Sequence, residues 1–190
     1  MKLPNLLTLS RIFLSVLFVF FLFQAGALNK TVALIVFLAA AYTDYLDGYF
    51  AKKYGLISNF GKIMDPIADK ALTLAAFFSF FSMGLVPFGI VILIAAREIF
   101  ITAWRLWIMK KGSFLAAEFM GKTKTVSQIA AIIFILLYII SRELASSGSA
   151  NYKFIEFWKG SIIFVMSYVL FITLFSGISL MWNNRKDFRK

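Results

Sequence analysis

Residues 44–69 read DYLDGYFAKKYGLISNFGKIMDPIAD and hold four of the chain's nine acidic residues, Asp44, Asp47, Asp65 and Asp69. This stretch lies between two strongly hydrophobic segments. A carboxylate at bilayer depth costs about 2.5–3.5 kcal/mol, and neighbouring negative charges also repel one another. A cation relieves both costs, and oxygen-only ligands favour Mg²⁺ or a similar hard divalent ion. The sequence therefore predicts a metal site formed by these four aspartates.

The composition of the whole chain is that of a membrane protein. Of its 190 residues, 61% are hydrophobic, and the mean hydropathy is +0.85. Cysteine and histidine do not occur in the sequence, which excludes disulfides, thiolate metal sites and histidine acid–base chemistry. Six segments have roughly the 17–25 residues that a membrane helix needs. The predicted spans are Ile12–Leu28, Thr31–Phe50, Ile63–Met83, Val86–Met109, Thr125–Ser141 and Ser161–Trp182. We expect a single all-α membrane domain over residues 1–190.

The net charge of +11 is distributed unevenly along this predicted topology. Basic residues concentrate before the first span, in the second and fourth connections and in the C-terminal tail. The positive-inside rule then places both termini and the aspartates on the cytoplasmic side. Topology and attraction to anionic lipid account for these charges, so no nucleic-acid partner is predicted. A signal peptide is an alternative interpretation, because residues 25–27 read AGA after a short apolar segment.

Helical spacing would bring the aspartates together in pairs. Asp44 and Asp47 are three residues apart, and Asp65 and Asp69 are four apart, so each pair shares one helix face. A short turn between antiparallel helices would let both pairs converge on one or two cations. As an alternative, Asp65 could cap the start of a helix whose first residue is Pro66.

Three small residues, Gly48, Ala51 and Gly61, accompany the aspartates. They leave the shared face without bulk. Such a face permits close helix packing, which is the ordinary interpretation, or a ligand lying against the backbone.

The full pattern resembles the signature of the CDP-alcohol phosphotransferase family, D-x-x-D-G-x-x-A-R followed after eight residues by G-x-x-x-D-x-x-x-D. Seven of its eight defining positions match, and Lys52 stands where the family has arginine. Lysine keeps the charge but lacks the planar fork with which arginine binds phosphate. Other segments are similar to the bacterial branch that uses sn-glycerol 3-phosphate. They are Pro4-Asn5, Thr8, Arg11, Gly61–Lys70, Ala96-Arg97-Glu98 and Gly121–Thr125.

This resemblance implies an enzyme of the bacterial inner membrane with six spans, a homodimeric state and an active site facing the cytoplasm. It implies transfer of a phosphatidyl group from CDP-diacylglycerol to sn-glycerol 3-phosphate, with Mg²⁺ or Mn²⁺ as cofactor. Asp44, Asp47 and Asp65 would hold the metal. Asp69 would share a second ion and act as general base toward the acceptor hydroxyl.

The resemblance also assigns substrate-binding residues. Those expected to contact the CDP-lipid are Asn5, Thr8, Asp47, Gly48, Ala51, Lys52 and Gly61. Those expected to bind the glycerol phosphate dianion are Arg11, Arg97, Arg105, Lys122 and Lys124. As an alternative, Arg97 could pair with Glu98 or with a carbonyl of another helix. Lys122 and Lys124 could instead snorkel to the membrane interface.

Other functions fit the sequence less well. Within the family, inositol phosphate or phosphatidylglycerol could replace glycerol phosphate as acceptor. A cation transporter would also place aspartates in a membrane, but here they gather at one face and no inverted repeat is evident. A non-catalytic scaffold leaves the cost of the carboxylates unexplained.

Overall fold

The computed structural model shows a chain of α-helices. It describes the backbone of residues 3–54, 59–110, 119–146 and 152–184. Side chains are described for a smaller set, which leaves out residues 1–9, 44–69, 109–120, 146–152 and 185–190. The helices are α1 Leu3–Phe23, α2 Ala27–Tyr54, α3 Asn59–Ser82, α4 Phe88–Lys110, α5 Phe119–Ser146 and α6 Tyr152–Asn183. The described part of the chain contains no strand, which confirms the all-α prediction.

Each predicted span overlaps one of these helices, but most helices are longer. Hydropathy detects only the apolar part of a helix, whereas the backbone hydrogen bonds continue through its polar ends. The first span differs in the other direction, because α1 ends at Phe23 and not at Leu28. Gly26 turns the chain there with a φ of 95°, a left-handed conformation that glycine adopts without strain.

The start of α3 corrects one interpretation of the aspartate stretch. The helix begins at Asn59, so Asp65 lies within it and does not cap its N-terminus. Pro66 also lies inside the helix, where its missing N–H removes one backbone hydrogen bond. A capping role therefore does not account for Asp65.

The helices pack around buried stripes of apolar side chains. α1 packs along α2 and α3, α5 along α6 and α2, and α4 along α6 and α3. On α4 the buried residues Val91, Ile94, Ile101 and Ile108 recur at helical spacing. Stripes of the same kind on the other helices complete the core that holds the polar residues described below.

The outer surface is rich in exposed apolar side chains. On α6, Phe164 is 79% exposed, and Phe157 and Phe171 are also exposed. Soluble proteins rarely carry so extensive an apolar surface. Two segments, Gly121–Ala145 and Lys153–Asn183, are long and apolar enough to cross a bilayer. These features fit a membrane protein, while six spans and the orientation of the termini stay predictions.

Candidate active site

The four aspartates lie on two helices that follow each other in the chain. Asp44 and Asp47 belong to the C-terminal part of α2, and Asp65 and Asp69 to the N-terminal half of α3. Because the backbone is helical at all four positions, each pair keeps the spacing of a shared face. Their side chains lie outside the described residues, so the metal site stays a prediction. Among the described side chains, no three metal-ligating groups come together.

A buried polar cluster begins at the residue after Asp69. Lys70 Nζ donates a hydrogen bond to Glu98 Oε2 at 2.8 Å. Lys124 Nζ donates to Glu98 Oε1 at 2.5 Å, and Gln128 Nε2 donates to the same oxygen at 3.2 Å. The carboxylate on α4 thereby joins α3 to α5.

Arg97 extends this cluster to a fourth helix. Its Nη1 donates to Glu98 Oε1 at 3.3 Å, and its Nη2 donates to Ser176 Oγ on α6 at 2.7 Å. A Cβ atom added at Gly177 would lie 3.0 Å from Arg97 Nε. Glycine at this position therefore lets the guanidinium approach the α6 backbone. We refer below to Lys70, Arg97, Glu98, Lys124 and Gln128 as the Glu98 cluster.

Helical periodicity explains why these polar groups meet. Glu98 continues the buried stripe of α4 between Ile94 and Ile101. Lys124 and Gln128 are four residues apart and continue the buried stripe of α5. Thr173 and Ser176 do the same on α6, where Thr173 Oγ1 accepts a hydrogen bond from Gln128 Nε2 at 3.4 Å. The polar residues that continue the buried stripes of α4, α5 and α6 therefore lie next to one another.

The charges of the Glu98 cluster do not balance. Three cations surround one carboxylate. A carboxylate offers about four acceptor positions, two on each oxygen. Glu98 receives four donors, three at Oε1 and one at Oε2. Each lysine of the cluster gives Glu98 only one of its three N–H groups in the described contacts. The arrangement therefore combines one anion, held by four donors, with cations that can bind a further anion.

Comparison with known proteins identifies the family. The model of the CDP-alcohol phosphatidyltransferase family matches residues 1–182. The chain belongs to this family. The resemblance drawn from the aspartate motif is confirmed.

Several curated relatives of this CDP-alcohol phosphatidyltransferase carry the name CDP-diacylglycerol–glycerol-3-phosphate 3-phosphatidyltransferase. The Bacillus subtilis relative is 38% identical over 162 residues, covering 79% of this chain and 84% of its own. The Mycoplasma pneumoniae relative is 34% identical over 175 residues, covering 83% and 76%. The Rickettsia bellii relative is 29% identical over 175 residues and covers 92% of both chains.

The structure separates the residues that the resemblance to CDP-alcohol phosphatidyltransferases assigned to glycerol phosphate. Arg97 and Lys124 lie together in the Glu98 cluster. Arg105 and Lys122 are exposed, and Arg11 is buried on α1. The alternative pairing of Arg97 with Glu98 is observed, whereas snorkelling is wrong for Lys124, which is buried. Binding of the acceptor by any of these five residues stays a prediction.

The residues assigned to the CDP-lipid have side chains outside the described part of the chain. They are Asn5, Thr8, Asp47, Gly48, Ala51, Lys52 and Gly61. Their assignment therefore stays a prediction from the motif.

Sequence reasoning missed most of the Glu98 cluster in this transferase. Lys70 and Glu98 belong to segments that resemble the family, but Lys70 was given no role in the site and Glu98 only that of an alternative partner for Arg97. Gln128 and Ser176 were not expected in the site. A signal was present, since polar side chains inside apolar spans are costly and usually functional. Glu98, Gln128 and Ser176 all interrupt predicted spans.

Proposed function

We propose that this protein transfers the phosphatidyl group of CDP-diacylglycerol to sn-glycerol 3-phosphate, giving phosphatidylglycerophosphate and CMP. The observation that carries this proposal is the agreement of named relatives that cover most of the chain, at up to 38% identity. The buried excess of positive charge around Glu98 supports it, because it suits an acceptor that bears a phosphate dianion better than a neutral alcohol.

The proposed reaction is an attack by the acceptor hydroxyl on the phosphorus that carries diacylglycerol. A new P–O bond forms there while the bond from this phosphorus to the CMP oxygen breaks. The proton of the hydroxyl passes to Asp69, the proposed general base. CMP departs with the electrons of the broken bond.

The aspartate motif fits a divalent cation by its chemistry. Its donors are carboxylates alone, and the helical backbone of α2 and α3 keeps each pair on one face. Asp44, Asp47 and Asp65 would hold Mg²⁺ or Mn²⁺, with Asp69 sharing a second ion. When bound, the ion would neutralise the pyrophosphate and the charge that develops on CMP.

Substrate binding is divided between two parts of the molecule in this proposal. The CDP-lipid would contact the N-terminal part of α1 and the small face of α2 and α3, with Lys52 as a point charge on phosphate. The acceptor phosphate would bind Arg97 and Lys124. Arg11, Arg105 and Lys122 would contribute from outside the Glu98 cluster.

We further propose a multi-pass protein of the bacterial inner membrane, with six spans and both termini in the cytoplasm. The helices and the apolar outer surface support the spans, and the distribution of basic residues supports the orientation. The active site would face the cytoplasm, and the family resemblance supports a homodimer. We treat residues 1–190 as one catalytic domain.

The test is CMP release by the purified, detergent-solubilised protein. The assay supplies CDP-diacylglycerol and Mg²⁺ with one acceptor at a time, and its controls are EDTA and Asp65→Ala. Release with sn-glycerol 3-phosphate alone, lost in both controls, is the expected result. Release only with inositol phosphate or phosphatidylglycerol would overturn the acceptor assignment. No release with any acceptor, together with cation flux in vesicles, would favour a transporter.

A further inference from the structure

We propose that Glu98 is a positioning residue for the phosphatidyl transfer, which holds the cations of three helices at the spacing that the acceptor phosphate needs. The inference rests on the proposed function and concerns a residue that does not itself meet the substrate. Glu98 acts through Lys70, Arg97 and Lys124.

The two oxygens of Glu98 connect different helices. Oε2 receives Lys70 of α3, whereas Oε1 receives Lys124 and Gln128 of α5 together with Arg97. Lys70 is the neighbour of Asp69 in the same helix. A rotation or shift of α3 would therefore break the 2.8 Å contact with Oε2. Through this contact, the carboxylate fixes the proposed base relative to the cations on α4 and α5.

The side chains of the Glu98 cluster differ in exposure, and these differences indicate which of them an entering solute would contact first. The side chain of Glu98 is 3% exposed, that of Lys124 8%, that of Arg97 12% and that of Lys70 21%. The carboxylate is thus the innermost group, and the cations surround it. An entering phosphate would contact the cations, while Glu98 remained behind them.

Two roles for Glu98 give opposite expectations. If the carboxylate only offsets positive charge, its removal leaves a more positive site that attracts a phosphate dianion more strongly. If the carboxylate positions the cations, its removal lets three like charges move apart, and the phosphate loses directed hydrogen bonds. The hydrogen bonds of Glu98 favour the second role, because one carboxylate holds donors from α3, α4 and α5.

The experiment compares Glu98→Gln with Glu98→Asp in the full-length protein. The glutamine keeps the size but loses the charge. The aspartate keeps the charge but is one methylene shorter, so it does not reach Lys70 and Lys124 together. In both variants we expect the KM for sn-glycerol 3-phosphate to rise about tenfold, the effect of losing roughly one charge-assisted contact. We expect the KM for CDP-diacylglycerol to stay within about twofold, since that substrate binds elsewhere.

Three results would overturn the proposal. A lower or unchanged acceptor KM in Glu98→Gln would leave charge compensation as the role. A normal acceptor KM in Glu98→Asp would show that position is unimportant. An equal rise of both KM values would indicate general structural damage.

Glu143→Gln is the matched control. Glu143 of α5 also connects distant segments through a carboxylate, because it accepts a hydrogen bond from Gly26 N, in the turn between α1 and α2, at 2.8 Å. We expect both KM values to stay unchanged in this variant.

If neither Glu98 variant folds, as judged by gel filtration and thermal unfolding in detergent, Gln128→Leu decides the question. This change removes one donor to Oε1 without changing any charge. A rise of about threefold in the acceptor KM supports positioning, and an unchanged value overturns it.

The wild-type assay separates this inference from the proposed function. If wild-type protein releases CMP only with another phosphate-bearing acceptor, the proposed function fails by itself. The same comparison of Glu98 variants with that acceptor then supports or overturns the positioning role.

Discussion

Glu98 and Glu143 are both carboxylates that connect distant segments of the chain, but they lie in different parts of the molecule. Glu98 lies within α4 and meets the N-terminal part of α5, whereas Glu143 lies near the C-terminal end of α5. Glu143 accepts a hydrogen bond from the backbone of Gly26 in the turn between α1 and α2. Close by, the buried Lys30 donates to the carbonyl oxygen of Leu22 at 2.5 Å. Burial lowers the pKa of Lys30, and the negative charge of Glu143 opposes that shift.

The partners of the two carboxylates differ in kind. Glu143 and Lys30 form described hydrogen bonds with backbone groups, the N–H of Gly26 in the turn and the carbonyl of Leu22 at the end of α1. The Glu98 carboxylate instead receives side chains alone in the described contacts, and three of them are cations. We infer that the Glu143 region stabilises the fold, whereas the Glu98 cluster keeps charged groups ready for a substrate. Changes in the first region should lower stability, and changes in the second should impair turnover.

The largest effect on turnover is expected beside the Glu98 cluster, at Asp69. Replacing it by asparagine removes the proposed base, so we expect CMP release to fall by about 10²–10⁴-fold. Binding of CDP-lipid should largely survive, which a binding assay with labelled CDP-diacylglycerol would measure. Near-normal turnover in Asp69→Asn would remove this residue as the base.

Arg97→Ala should have the next largest effect. It removes a partly buried guanidinium that contacts both Glu98 and Ser176, and we expect the KM for glycerol phosphate to rise by about 10–100-fold. Arg105→Ala, on the same helix but exposed, should raise this KM less while leaving the KM for the CDP-lipid near normal. Initial rates at varied acceptor concentration measure both changes. A stronger effect at Arg105 would mean that the acceptor binds nearer the exposed end of α4.

Gly177→Ala tests the same cluster by a small displacement. The added methyl group would lie 3.0 Å from Arg97 Nε, so the guanidinium must move by a few tenths of an ångström. We expect the acceptor KM to rise by roughly twofold to fivefold, which corresponds to a change in binding free energy of less than about 1.4 kcal/mol. Gly160→Ala is the matched control on α6, because a Cβ there meets no atom within 4 Å. An equal acceptor KM in both variants would show that a displacement of the Arg97 guanidinium by this amount does not affect acceptor binding.

The smallest effect on turnover, and a larger one on stability, is expected at Glu143. Glu143→Gln weakens the bond to Gly26 N, and we expect a loss of about 1–2 kcal/mol in the free energy of unfolding. Thermal unfolding in detergent would show this as a lower Tm, with both KM values unchanged. Impaired turnover at an unchanged Tm would reverse the roles that we assign to the two carboxylates.

The sequence allowed much of this molecule to be predicted, for identifiable reasons. Long apolar segments predicted the helices. The fixed spacing of Asp44, Asp47, Asp65 and Asp69 predicted the family. The end of α1 at Phe23 was not predicted, because hydropathy continues through the turn at Gly26.

The Glu98 cluster could not be assembled from the sequence. Apart from the neighbours Arg97 and Glu98, the residues in contact lie 26 to 79 positions apart in the chain. These contacts depend on how α3, α4, α5 and α6 are rotated against one another. Each polar residue was visible within an apolar span. Only the packing of the helices shows which of them touch.

The contact between Lys70 and Glu98 limits how this enzyme can be recombined. Asp69 and Lys70 are consecutive, so one residue inserted between them would turn Lys70 about 100° around α3 and away from α4. A chimaera that takes α3 from one family member and α4 from another keeps the contact between Lys70 and Glu98 only if both parents place these two residues alike. The segment from Gly61 to Glu98 is therefore best exchanged as one block.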